Sequence, residues 1–142
     1  MSWVGGLYSV AVFPLYLGDA TPIVLPAATV PTPMTAAYID EMNRLVPKGS
    51  RNGIVITPDV LRETVSHPQY REGMKRYDWI AYAGAPLDHV TGDLVASLVP
   101  RLQSFIGSTD LGVYPLLWND PADWKIHRFA IGQEGYLSLI HI

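Results

Sequence analysis

Residues 78–107 read DWIAYAGAPLDHVTGDLVASLVPRLQSFIG, and this stretch decides the fold. Asp78 to Ala83 has the short apolar, aromatic character of a strand bounded by turn residues. Leu87 to Leu98 is a predicted helix, with Val90, Leu94, Val95 and Leu98 at helical spacing on one face. Arg101 to Ile106 is a second strand of the same kind. A strand, a helix and a strand in about thirty residues form a βαβ unit. That unit implies parallel pairing, because the chain must cross back before it can pair in the same direction.

Upstream the same alternation continues. Thr35 opens a helix reaching about Leu45, with Tyr38, Ile39, Met42 and Leu45 at helical spacing. Asn52-Gly53 is a turn signal, and Gly53 to Thr57 is a buried-strand candidate. Thr57 can cap a helix that begins with Pro58, since proline loses nothing at the first helical position. That helix carries Val60, Leu61 and Val65 and ends at His67-Pro68. A short polar helix follows from Gln69 to Met74. Nearer the start, Trp3 to Tyr16 reads as a buried helix and Thr21 to Leu25 as a strand. The expected class is α/β: a mostly parallel sheet with flanking helices, forming a partial piece of a larger domain.

Composition narrows the function. Hydrophobic residues make up 49% and charged residues 16% of the 142 positions, which argues for a buried core rather than disorder. The net charge is −3 with no Lys/Arg run, so neither a nucleic acid nor an anionic membrane is an expected partner. There is no cysteine, which excludes a disulfide scaffold, a thiolate zinc site and a cysteine nucleophile, and fits a cytoplasmic setting. The apolar run Trp3 to Leu17 is too short to span a bilayer, contains Pro14 and lacks a basic flank before it. A start this apolar reads as a cut through the middle of a domain.

Ligands of parallel α/β sheets sit where loops leave the carboxyl ends of strands. Two loops fit. In Ala83-Gly84-Ala85-Pro86-Leu87, the small residues let a flat ligand lie against the backbone, and Pro86 fixes the turn. Taken alone, it is equally an ordinary strand-to-helix turn. In Ile106-Gly107-Ser108-Thr109-Asp110-Leu111-Gly112, the hydroxyls of Ser108 and Thr109 suit phosphate oxygens and Asp110 suits Mg²⁺. Taken alone, this loop is also a Ser/Thr/Asp turn satisfying its own backbone. Together, a small-residue loop beside a hydroxyl-carboxylate loop suits a nucleoside and its phosphates.

Ala83-Gly84-Ala85-Pro86-Leu87 resembles the Gly-Gly-Ala-Pro-Leu motif of the adenylate-forming superfamily of AMP-dependent synthetases and ligases. Gly107-Ser108-Thr109-Asp110 resembles that superfamily's Tyr-Gly-x-Thr-Glu motif. Phe13-Pro14-Leu15-Tyr16-Leu17-Gly18, followed by Ile23-Val24-Leu25-Pro26, is similar to its "L-Y-x-G, then V-x-L-P" stretch. Pro58 stands where the family has "Pro-x-x-Leu". Order and spacing agree over about residues 1 to 130. Ile106 to Thr109, Pro115-Leu116-Leu117 and Asp123-Trp124 resemble the subgroup of fungal peptide-synthetase-like enzymes, which join an adenylation domain to a carrier domain.

The resemblance implies an ATP- and Mg²⁺-dependent activation of a carboxylic acid as its acyl-adenylate, with a phosphopantetheine carrier domain or CoA as acceptor. It places Gly84, Ala85 and Pro86 along the adenine and acyl pocket, Thr109 at the AMP phosphate and Asp110 at the Mg²⁺. Two positions depart from the pattern. Ile106 replaces an aromatic that stacks on adenine, and Asp110 is one methylene shorter than the family's glutamate. The family's Pro-Lys phosphate loop, its ribose-binding Asp and its catalytic Lys have no counterpart in the sequence. Residues 1–136 are therefore expected to be part of an adenylation domain, inactive alone. Leu137 to Ile142 reads as a translated transposon end from sequencing-library preparation and is set aside as a non-native tail.

Other chemistries find little support. His67, His89, His127 and His141 have no second ligand at i+3 or i+4, so they do not form a helical metal site. His89, beside the first loop, is the histidine best placed to meet a ligand. Neither Gly-x-Ser-x-Gly nor Gly-x-Gly-x-x-Gly occurs, which argues against an α/β-hydrolase and a dinucleotide fold. Trp118, Trp124 and Phe129 read as packing under loops. The alternative function is a non-catalytic α/β module that has lost nucleotide turnover.

Overall fold

The computed structural model describes residues 35–47, 49–108, 112–114, 116–117 and 119–129. The chain divides into two units, Met1–Met34 and Thr35–Ile142, and every element below belongs to the second. The helix expected over Trp3 to Tyr16, the strand expected over Thr21 to Leu25, Trp118 and the tail 137–142 lie outside the described residues.

The central layer is a parallel sheet of β1 (Gly53–Ile56), β2 (Trp79–Tyr82) and β3 (Leu102–Ser104), in that spatial order. Gly53 stands opposite Trp79, Ile80 opposite Leu102, and Tyr82 opposite both Ile56 and Ser104. Parallel neighbours need crossovers. The first is α2 (Pro58–Ser66) with α3 (Pro68–Met74), and the second is α4 (His89–Leu98). Sequential right-handed crossovers bring their helices to one face of the sheet, and α2 packs against α4. α1 (Ala36–Leu45) lies against α2 and α3. The expected α/β class with parallel βαβ units is present at this level.

Local chemistry explains the starts and stops. Thr35 caps α1 by accepting from the Tyr38 amide at 3.3 Å, and Glu63 of α2 accepts from the Ala36 amide at 3.1 Å. α2 begins at Pro58 as expected, but the Thr57 side chain makes no capping bond. The proline itself sets this start, by fixing φ where no amide donor is needed. His67 both ends α2 and precedes Pro68, which opens α3. Arg71 of α3 donates from Nε to the Val65 carbonyl at 2.5 Å, satisfying one of the orphan carbonyls at the end of α2.

Between the sheet and its helices lies the core, centred on Leu61, Ile80, Val95 and Leu102, each no more than 1% exposed. Three expectations need correction. α4 starts at His89, not Leu87, and Val90 is 82% exposed while Thr91, Gly92 and Val95 are buried. Trp124 causes this rotation of the face. It packs on Gly92 so closely that a Cβ there would lie 2.1 Å from the indole ring. β1 is half-buried along most of its length, because it is an edge strand of this sheet among the described residues. The last strand stops at Ser104, short of the expected Ile106.

After β3 the chain turns to antiparallel pairing. β4 (Gly107–Ser108) pairs with β5 (Gly112–Val113), and β6 (Leu116–Leu117) with β7 (Arg128–Phe129). Trp124 follows the 3₁₀ turn Pro121–Asp123 and is buried, as the packing reading expected. Its indole N–H donates to Asp93 at 2.9 Å, and Lys125 sits 5.3 Å over its ring. Among the described residues no helix is long and apolar enough to cross a membrane.

Glycine to alanine inside a helix usually stabilises by about 0.4–1 kcal/mol. Gly92→Ala is expected to destabilise instead, by about 1–3 kcal/mol, because the methyl group overpacks Trp124. In a Trp124→Ala background the same change should become stabilising. Urea unfolding of the two single variants and the double variant measures this coupling.

Candidate functional site

The carboxyl ends of β2 and β3 lie side by side. The Phe105 amide donates to the Tyr82 carbonyl at 2.7 Å, and the Ala83 amide donates to the Ile56 carbonyl at 3.1 Å. The two loops singled out in the sequence therefore leave adjacent strands. Tyr82, at the end of β2, is buried. Burial pushes its phenol above the ordinary value, and a hydrogen bond with Ser104 pulls the other way.

The first loop leaves β2 through Ala83. Gly84 has φ +97°, a conformation that L side chains rarely adopt, and an added Cβ would meet nothing within 4 Å. The backbone, rather than crowding, demands glycine here. Gly84, Ala85 and Pro86 are exposed, and Leu87 returns to the core. Asp88 then caps α4, its Oδ1 accepting from the Thr91 amide at 2.9 Å. His89 is exposed, with its ring centroid 6.3 Å from that of Trp124. Tyr82 meets the same indole edge-on at 6.2 Å.

Arg62, on α2, ties this loop down. Its Nε donates to Asp88 at 2.8 Å, its Nη1 to Asp59 at 2.5 Å and its Nη2 to the Pro86 carbonyl at 3.3 Å. The Thr91 amide and then the Arg62 guanidinium hold the Asp88 carboxyl well below the usual carboxylate range. Sequence reasoning missed Arg62. The only local signal was Asp59 three residues before it, which marks an ordinary exposed helix pair.

The second loop differs from expectation. Gly107 and Ser108 belong to the antiparallel ribbon with Gly112 and Val113, rather than to an open loop. The Tyr114 amide donates to the Ile106 carbonyl at 2.8 Å, closing the base of that ribbon. Antiparallel pairing wins here because a short connection allows the chain to double back on itself. Ile106 is half-buried. Thr109 and Asp110 lie outside the described residues.

Among the described residues, no group of three or more His, Asp or Glu side chains is placed to hold a metal ion. An open depression of about 240 Å³ is lined by Asp93, Ala96, Ser97, Ala122 and Trp124, none of which belongs to either loop. Asp93 there is held below the usual carboxylate range, first by the Trp124 N–H and then by Lys125, 3.1 Å away. No protein-family model matches the sequence, and no curated protein matches it either.

Two outcomes follow from the first loop. Gly84→Ala should destabilise by about 1–2 kcal/mol through its positive φ alone, despite the open space around it, as read by urea unfolding. Asp88 has a depressed folded pKa, so the stability it contributes is present above its unfolded value of about 3.9. That stability is lost as pH falls through the folded value. Asp88→Asn keeps a capping oxygen but loses the charge. Its Tm should lie below wild type at pH 7, and the gap should narrow at pH 3.

Proposed function

We propose that this chain is a piece of the large domain of an AMP-forming enzyme that activates carboxylic acids. What carries the reading is the adjacency of the two motif-bearing segments. The segments that begin at Ala83 and at Phe105 leave neighbouring parallel strands at their carboxyl ends, where α/β sheets bind ligands. The exposed backbone at Gly84, with open space beside it, fits a flat base lying against the turn. In this reading Gly84, Ala85 and Pro86 line the adenine and acyl pocket. Ile106 takes the place of the stacking aromatic, and Gly107, Ser108 and Thr109 face the phosphates.

Asp110 would hold Mg²⁺ through those phosphates, and the ion would supply charge neutralisation there. The chain's own residues present the small-residue wall and the hydroxyls. They do not include the family's catalytic lysine, so the largest electrostatic contribution to the reaction has no source in this sequence. The acyl acceptor in the whole enzyme is a phosphopantetheine carrier domain or CoA. A cytoplasmic location goes with this assignment.

A second reading is a degenerate, non-catalytic module. It is favoured by one observation: Ile106, half-buried, offers no aromatic face to a base.

ATP–pyrophosphate exchange separates the two. The 142-residue chain alone is expected to show none. The longer protein containing it should exchange in the presence of a carboxylic acid, screened over aryl and aliphatic acids. Ile106→Tyr with Asp110→Glu in that protein should change ATP affinity only modestly if the pocket works as it stands. Affinity appearing from nothing in the double variant, with no exchange in the parent, would establish the degenerate module instead.

A further inference from the structure

We infer that Arg62 is the positioning residue of the candidate pocket: it fixes the conformation of the loop from Ala83 to Asp88 from outside. The functional part of this inference rests on the adenylation reading, whereas the structural part does not.

Between Tyr82 and Leu87 the chain has no buried side chain, and Gly84, Ala85 and Pro86 are all exposed. A segment with so little packing is held by hydrogen bonds or not at all. Arg62 provides one at the loop's crest, to the Pro86 carbonyl, and another at its exit, to the Asp88 carboxylate. The carboxylate of Asp59, one turn back on α2, accepts from the third nitrogen of the same guanidinium. All three nitrogens are engaged, so the group is held as a fixed fork rather than a wandering charge. Exposed ion pairs add little to global stability. The three-way arrangement therefore matters for geometry: it couples α2 to the wall that would face the nucleotide. Asp88 is also the cap of α4, so the same clamp sets where that helix begins.

Arg62→Gln removes the charge, and Arg62→Lys keeps it but cannot reproduce the fork. Backbone ¹⁵N relaxation and amide exchange on the full chain read the result. In wild type, Gly84 and Ala85 should show order parameters of about 0.85, falling below about 0.6 in Arg62→Gln. The Thr91 and Gly92 amides should exchange faster, while Ile80 and Val99, at the sheet and the far end of α4, should not change. Arg62→Lys should fall between. An Arg62→Gln chain whose loop stays ordered overturns the inference, and so does equal loosening at Ile80 and Val99. Titration with AMP of the longer protein containing this chain, with and without Arg62→Gln, tests the underlying reading separately. Binding that weakens roughly tenfold in Arg62→Gln supports both, since a pre-ordered wall costs less to engage. A longer protein that binds no AMP counts against the nucleotide reading, while the relaxation data still decide the clamp.

Discussion

Everything described here depends on β2 being bonded on both flanks in the parallel sense. A parallel ladder cannot be closed by a tight turn, so each neighbour requires a helical crossover, and each crossover needs an apolar face to lie on. Leu61 and Val95 supply that face from the helices, and Ile80 and Leu102 from the strands. Burial of these side chains is the dominant favourable contribution. The same pairing brings the ends of β2 and β3 together through the Phe105 amide and the Tyr82 carbonyl. The nearness of the two candidate loops is thus a by-product of sheet register.

Polar side chains secure what the core does not reach. Gln103, on β3 and only 2% exposed, donates to the Leu117 carbonyl at 2.8 Å and accepts from the Asn119 amide at 3.2 Å. It stands in for a strand partner, joining the parallel sheet to the segment carrying β6. Asn119 donates in turn to the Ile126 carbonyl. Asp78 and Asn52 exchange bonds at the other end of the sheet, where the Asn52 amide meets the Asp78 carboxylate at 2.7 Å. Polar groups taken out of water must find partners, and here the partners are chain segments that would otherwise be loosely held.

The functional reading stands on an arrangement rather than on any one residue. Ala83 to Leu87 is an ordinary turn by composition, and its glycine is already explained by φ +97°. Its interest comes from what lies next to it and from the guanidinium that reaches it from α2. Ile106 and Asp110 pull the other way, as departures from the pattern that the neighbouring residues resemble.

Much of this was legible in the sequence wherever the cause is local. Thr35, Pro58, His67-Pro68 and the apolar spacing around Leu61 and Val95 mark elements within a residue or two of where they stand, because caps, prolines and periodicity act over one or two turns. Tertiary structure decided the rest. Val90 is exposed and Gly92 buried because a tryptophan thirty-two positions onward takes the space beside the helix. Gln103 is buried because backbone groups far along the chain satisfy both ends of its amide, and Asn43 and Asn119 are buried with their amide nitrogens bonded to backbone carbonyls, against the usual preference of such residues for the surface. Gly107 and Ser108 pair in a ribbon that spacing alone did not announce. Arg62 reaches Asp88 across twenty-six positions, and no periodicity links them. The sequence by itself determined the order and kind of elements through short-range chemistry. Which faces turned inward, and which side chains hold the candidate loop, came only from contacts between segments far apart along the chain.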